Sequence, residues 1–281
     1  MGLQAGALLC DTLGMIPSLI SAACVLYLLA TAWQARALTA HGAQAGTAPS
    51  VMALSAALLH GLVIGQLWRL AGGIDLHFSA ALAVVAVVIA ALTALLSLWR
   101  PLGALGIISY PCGAAFLLAY GLSQTGVPSP STLAWPIQLH AGLSLLAYAA
   151  LSLAALLAIV LWWQERALRQ RQFGGFLNML PPLTMVESLL FQLILAGFVL
   201  LAAALITGAL FVDDLFAQHL VHKTVLSILA WLVFGALLLG RWRRGWRGRR
   251  AVRWTLSAMA LLALAFFGSK FVLELVLARS G

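Results

Sequence analysis

Residues 79–99 read SAALAVVAVVIAALTALLSLW, residues 102–121 read LGALGIISYPCGAAFLLAYG, and only Arg100 and Pro101 separate them. Neither stretch carries a charged side chain. An α-helix rising 1.5 Å per residue needs about 20 apolar residues to cross a hydrocarbon core of about 30 Å. Two such runs placed end to end are expected to be two helices that cross a membrane and return. Trp99-Arg100-Pro101 is the turn between them, with an indole and a guanidinium suited to headgroup level and a proline expected at the first helical position of the returning helix.

Working outward, six further stretches are long and apolar enough: 14–33, 51–68, 139–163, 189–212, 224–240 and 252–273. The fold class expected is therefore all-α, a polytopic membrane protein of about eight transmembrane helices. The longest connections are 34–50, 122–138 and 164–188, and no long polar segment interrupts the series, so residues 1–281 read as a single integral membrane domain. Composition agrees: 63% of the chain is hydrophobic and 8% is charged. Soluble domains average about 25% charged residues, too many to be replaced by this chain's few solvated groups. Gly113-Ala114-Ala115 offers a small-residue face for close helix contact.

Basic residues set the orientation. Arg36, Arg100, the trio Arg166, Arg169 and Arg171, and the seven arginines between 241 and 253 fall on alternate connections, twelve of the sixteen basic residues. The positive-inside rule then places both termini on the outer side of the membrane, with an even number of spans. No basic residue precedes Arg36, so the first stretch is expected to remain as a helix rather than be removed as a signal peptide. A net charge of +9 would suggest nucleic acid in a soluble protein. Here it reads as a topological signal, with membrane lipid as the partner and no nucleic acid.

Three cysteines, Cys10, Cys24 and Cys112, lack any metal, redox or haem-attachment spacing, and Cys24 and Cys112 read as small buried hydrophobes. No Ser-His-Asp order, phosphate-binding glycine loop or His-x-x-x-His motif is present, so the chain is read as not an enzyme. Asp213 and Asp214 are read as partners of Lys223 or as a helix cap rather than as a catalytic dyad.

The histidines are more informative. His41 falls in the first inner loop and reads as solvated, whereas His77, His140, His219 and His222 fall near the outer surface. His60 lies near the middle of the second span, where an ionisable side chain is either a functional group or a hydrogen-bonded link between helices. His219 and His222 share one face if their segment is helical. Outer imidazoles on different helices can ligate a metal ion or the iron of a flat cofactor, or simply sit at the interface. At the opposite surface, Arg241-Trp242-Arg243-Arg244-Gly245-Trp246-Arg247-Gly248-Arg249-Arg250 reads as an interfacial anchor, or as a site for anionic lipid or a propionate-bearing ligand.

Several motifs resemble the cytochrome c assembly membrane proteins, the CcsA/CcmC/HemX-like family, and most closely its short HemX-like branch. They are Pro181-Pro182-Leu183 with Glu187, Thr207-Gly208, His222-Lys223-Thr224-Val225-Leu226-Ser227-Ile228 with Trp231, Gly245-Trp246-Arg247-Gly248-Arg249-Arg250, and Phe267-Gly268-Ser269-Lys270. His140-Ala141-Gly142-Leu143-Ser144 with Tyr148, and His60 in the second span, extend the likeness over most of the chain. The resemblance implies haem handling in cytochrome c-type biogenesis in a bacterial inner (plasma) membrane, which makes the outer side periplasmic, with haem b as cofactor and cytochrome c maturation or other inner-membrane proteins as partners.

By the same resemblance His140 matches an outer haem ligand and His60 a histidine within the membrane. His222 or His219 is the substitute axial partner of His140. The cofactor-binding set is completed by Trp231, Arg247, Arg249 and Arg250. The chain departs from the large members in three ways: it lacks their Trp-rich segment, it has Gly240-Arg241 where a membrane histidine is expected, and no histidine follows Arg250. Two functions stay open, a haem-binding or haem-handling protein and a membrane scaffold or accessory protein that keeps the fold without haem.

Overall fold

The computed structural model describes residues 2–42, 46–123, 134–171, 180–211 and 218–270, omitting side chains at 2–13, 41, 218–220 and 267–270. It is all-helical: α1 (Gly2–His41), α2 (Ala48–Leu70), α3 (Phe78–Trp99), α4 (Gly103–Ser123), α5 (Trp135–Arg169), α6 (Leu183–Phe211), α7 (Gln218–Arg244) and α8 (Arg249–Lys270). Each of the eight expected stretches maps onto one helix. Seven are long and apolar enough to cross a membrane within the described residues, α1 to α7. The expected span 252–273 runs past α8 into residues outside that description.

Two boundaries differ from expectation. His41 ends α1 instead of lying in a loop. Pro101 does not open α4, which starts at Gly103. Arg100 before the proline is extended, as steric pressure from the proline ring demands, and Leu102 N–H donates to the Arg100 carbonyl (2.7 Å) to turn the chain. A Cβ at position 103 would overlap the Gln34 side-chain amide, so the helix begins where glycine lets it meet α1.

The chain divides into two compact units. The first holds α1–α4, with α1 against α2 and α4, and α3 against the same two helices. On α2 the buried face runs at helical spacing from the small residues Ala53, Ala56 and Ala57 to His60, Val63 and Ile64. Large side chains such as Leu58 and Leu62 point outward. This is the pattern of helices in lipid, where apolar surface gains nothing by hiding and close backbone approach supplies the packing energy. Gly113 and Ala114 do bring α4 onto α1, since a Cβ at 113 would lie 3.1 Å from the Tyr27 ring. Cys24 is half-buried there, but Cys112 is exposed: one step from the glycine face, it points away from the helix contact.

The second unit holds α5–α8, and its most extensive contact is α5 on α6. On α6 the buried stripe is Leu190, Ile194, Gly197, Leu201, Ala204 and Gly208. Gly197 receives Leu151 of α5, where any side chain would collide with its branches. α8 packs on α5 and α7 through Ala251, Thr255, Ala258 and Leu262.

Candidate functional site

His140 lies in the second turn of α5, partly buried against α6. Its Nδ1–H donates to the Ala204 carbonyl at 2.8 Å, and Thr207 Oγ1 lies 3.4 Å from the same nitrogen. A carbonyl can only accept, so this bond fixes the tautomer: the proton sits on Nδ1 and the lone pair on Nε2. Ala204 is available because the α6 stripe shrinks toward this end. A Cβ at Gly208 would stand 3.0 Å from His140 Cε1 and 3.3 Å from Nδ1, so the imidazole rests directly on a bare glycine backbone. Thr207 Oγ1 is itself turned inward to the Ala203 and Ala204 carbonyls (2.9 and 3.0 Å). Metal-ligating histidines usually donate their second nitrogen to a carbonyl or carboxylate, which orients the ring and raises the basicity of the ligating nitrogen. His140 has that arrangement.

His222 is exposed in the second turn of α7, and its segment is helical from Gln218, so the condition for His219 and His222 to share a face is met. The side chain of His219 is outside the description, as are Asp213 and Asp214. α6 packs on both α5 and α7, and no substantial contact joins α5 to α7 among the described residues. The structure therefore orients His140 without itself pairing it with His222. Trp231 stacks on Phe198 of α6 with centroids 5.0 Å apart and planes at 10°, and the same Phe198 ring covers Gly235.

His60, in the other unit, is fully buried. Its ring meets Tyr27 edge-on at 6.1 Å, and Tyr27 in turn stacks on Tyr110 at 6.5 Å. Tyr27 OH lies 3.5 Å from His60 Nδ1, and Nε2 has no protein partner. Near Tyr120 a second polar group stands at the α2–α3 connection. Asp75 accepts from the backbone N–H of His77 (2.8 Å), from its Nδ1–H (2.6 Å) and from Tyr120 OH (3.2 Å). Burial pushes the Asp75 carboxyl up, but these donors together hold it below the ordinary carboxylate value.

At the arginine-rich end, Glu187 at the start of α6 is 10% exposed and binds Arg241 at 2.5 Å, with Arg247 Nε at 3.6 Å. Arg241 also donates to the Trp246 carbonyl (3.3 Å) and lies over the Phe191 ring. Trp246 folds back onto Gly240, where a Cβ would overlap its indole. That accounts for glycine at the position where a membrane histidine was expected: an indole fills the space. Arg247, Arg249 and Arg250 are exposed.

In the sequence Thr207-Gly208 and Glu187 stand only as motif residues, with no sign of what they hold. The signal at Gly208 was a small residue at the end of an apolar stripe, but nothing local names its partner 68 residues away.

No solved structure matches the chain. Among curated proteins, the inner membrane protein YpjD of Escherichia coli is 41% identical over 137 residues, 49% of this chain and 52% of the relative. The cytochrome c biogenesis protein CcsA of Prochlorococcus marinus is 30% identical over 172 residues, 54% of each chain. That of a Synechococcus species is 25% identical over 191 residues, 60% of this chain and 62% of the relative. The chain thus spans about half the length of the YpjD and Prochlorococcus relatives it matches. The Cytochrome C assembly protein profile matches residues 48–277, and the chain belongs to that family.

Proposed function

We propose that this multi-pass inner-membrane protein binds or moves haem in cytochrome c biogenesis, without catalysing a reaction. The observation that carries the reading is the His140 Nδ1–H bond to the Ala204 carbonyl, which leaves Nε2 as a fixed-tautomer lone pair. The family and the names of its relatives support the cytochrome c context. Haem supplies an iron that takes axial imidazoles, and the residues present fit that requirement at His140. His222, or His219 on the same helix face, is the proposed second ligand. The ligand set keeps Trp231 as a ring neighbour and Arg247, Arg249 and Arg250 as cationic groups at the other end. Haem b is the proposed form, because no cysteine pair has the spacing for covalent attachment.

The test is an absorption spectrum of the full chain purified after expression with haem supply. A Soret band that is lost in His140→Ala and restored by added imidazole is expected. A chain that takes up no haem, or a band indifferent to His140→Ala, sinks the assignment.

A scaffold reading is favoured by one observation. His60 is wholly enclosed by Tyr27 and its neighbours, so in this conformation its Nε2 meets no ligand. A scaffold predicts that His140→Ala and His60→Ala leave function intact, and that crosslinked purification recovers a stoichiometric partner.

A further inference from the structure

The strongest charge asymmetry in the molecule extends well beyond Arg247, Arg249 and Arg250, the three arginines given to the haem reading. Where α5 and α7 end and α8 begins, three arginines of the α5 terminus join the seven between 241 and 253, against the carboxylates Glu165 and Glu187. One fold feature gathers them: Gly248 meets Glu165 so closely that a Cβ would collide with the carboxylate. Glu187 takes Arg241 and Arg247, and Glu165 lies against the turn. Arg243, Arg244, Arg249, Arg250 and Arg253 stay exposed, with no ion pair among the described residues.

The turn that presents them is fixed. Gly245 and Gly248 adopt left-handed φ values of 62° and 53°, Gly245 N–H donates to Arg241 O (3.1 Å), and Trp246 N–H to Gly240 O (3.3 Å). Trp246 is clamped between Gly240 and Trp254. Beside this rigid turn Trp242 is 80% exposed, and Trp162 and Trp163 are exposed on α5.

We propose that this collar is a binding surface for anionic phospholipid. Guanidinium forks match phosphate oxygens two at a time, and unneutralised arginines concentrated at one end of apolar helices create a positive field at headgroup depth. The exposed indoles favour the same depth and give a soluble phosphate nothing to bind. A phospholipid meets both halves of the surface, its phosphate on the arginines and its glycerol and upper acyl region on the tryptophans. Juxtamembrane basic clusters hold anionic lipid in this way, and salt weakens the contact.

The test uses the full-length, haem-free chain in neutral detergent, offered phosphatidylglycerol and phosphatidylcholine in equal amounts and read by native mass spectrometry. Preferential retention of phosphatidylglycerol is expected, falling as salt rises. Each arginine removed should weaken it about fivefold, so R249Q/R250Q lowers the apparent affinity on the order of 25-fold. R249K/R250K should recover part of it, since charge is kept and the fork is lost. R243Q/R244Q provides a second pair should the first alter helical content by circular dichroism, and Arg69→Gln, an arginine outside the collar, should change nothing. Equal retention of both lipids overturns the proposal, as does an unchanged preference in both glutamine pairs or an equal loss in Arg69→Gln. If haem is then added to the same chains, weaker uptake by R249Q/R250Q together with no lipid preference overturns the proposal and assigns the collar to propionates instead.

Discussion

Substituting Gly208 by alanine tests the orientation of His140 without touching the ligand itself. The new Cβ would lie 3.0 Å from Cε1 and 3.3 Å from Nδ1, tighter than ordinary carbon contacts by a few tenths of an ångström. The imidazole must move away from α6, and the 2.8 Å bond to Ala204 O must lengthen or bend. Helix propensity favours alanine over glycine by about 1 kcal/mol, which offsets much of the contact strain, so thermal stability should shift by less than about 1 kcal/mol. Haem affinity should respond far more. Loss of an outer-shell partner typically costs 10–100-fold in metal affinity, about 1.4–2.7 kcal/mol. Haem titrated into the apoprotein in detergent, followed at the Soret band, should give that weakening in Gly208→Ala and a stronger one in Gly208→Val. Thr207→Val is the control, because its hydroxyl hydrogen is already directed at the Ala203 and Ala204 carbonyls and its 3.4 Å approach to Nδ1 adds little. Undiminished affinity in Gly208→Val, with His140→Ala still abolishing the band, would refute the positioning argument and leave the ligand assignment standing.

Three other outcomes are expected. Glu187→Ala leaves Arg241, 29% exposed, without its carboxylate, and should destabilise the protein by about 2–3 kcal/mol in thermal unfolding, less than a fully buried pair because solvent reaches the guanidinium; Arg241→Met should relieve much of that in the double variant. The Asp75 carboxyl titrates below its unfolded value, so the unfolded state takes up the proton first as pH falls. Its stabilisation is complete above the ordinary value of about 3.9 and disappears as pH drops through the depressed one, so the acid limb of thermal stability should flatten in Asp75→Asn. Gly240→His should eject Trp246 from its seat, costing about 1–3 kcal/mol and red-shifting indole emission; an unshifted spectrum would contradict the packing.

The helices were legible because a charge-free run of twenty residues has few alternatives, and 79–121 shows two of them with only Arg100 and Pro101 between. Details at helix ends were less so. Pro101 reads as a helix start, but α4 begins at Gly103, which lies against Gln34 of another helix. Cys112 looked buried because hydropathy in a membrane protein no longer separates inside from outside, and lipid accepts what a core would. The candidate site shows the same divide. His140 and His222 stand out as isolated imidazoles among apolar residues, and helical spacing relates His219 to His222. The bond from His140 to Ala204 spans 64 residues and ends on a backbone carbonyl, which has no sequence signature at all.

The stripe along α6 connects these results. Its large members, Leu190, Ile194 and Leu201, are buried, and Gly197 lets Leu151 of α5 sink into the stripe, drawing the two helices close. Close approach at Gly197 is what makes a 2.8 Å bond from His140 to a main-chain carbonyl of α6 reachable two turns later, where Ala204 and Gly208 leave room for a ring. Toward the other end of the helix, Glu187 in its second turn binds Arg241 and so fixes the end of α7. A single helix thus positions the proposed ligand with its small residues and the arginine turn with its acid. Enlarging Gly197 should therefore disturb His140 without touching it, since the ring can be held against Ala204 only while α5 lies this close to α6.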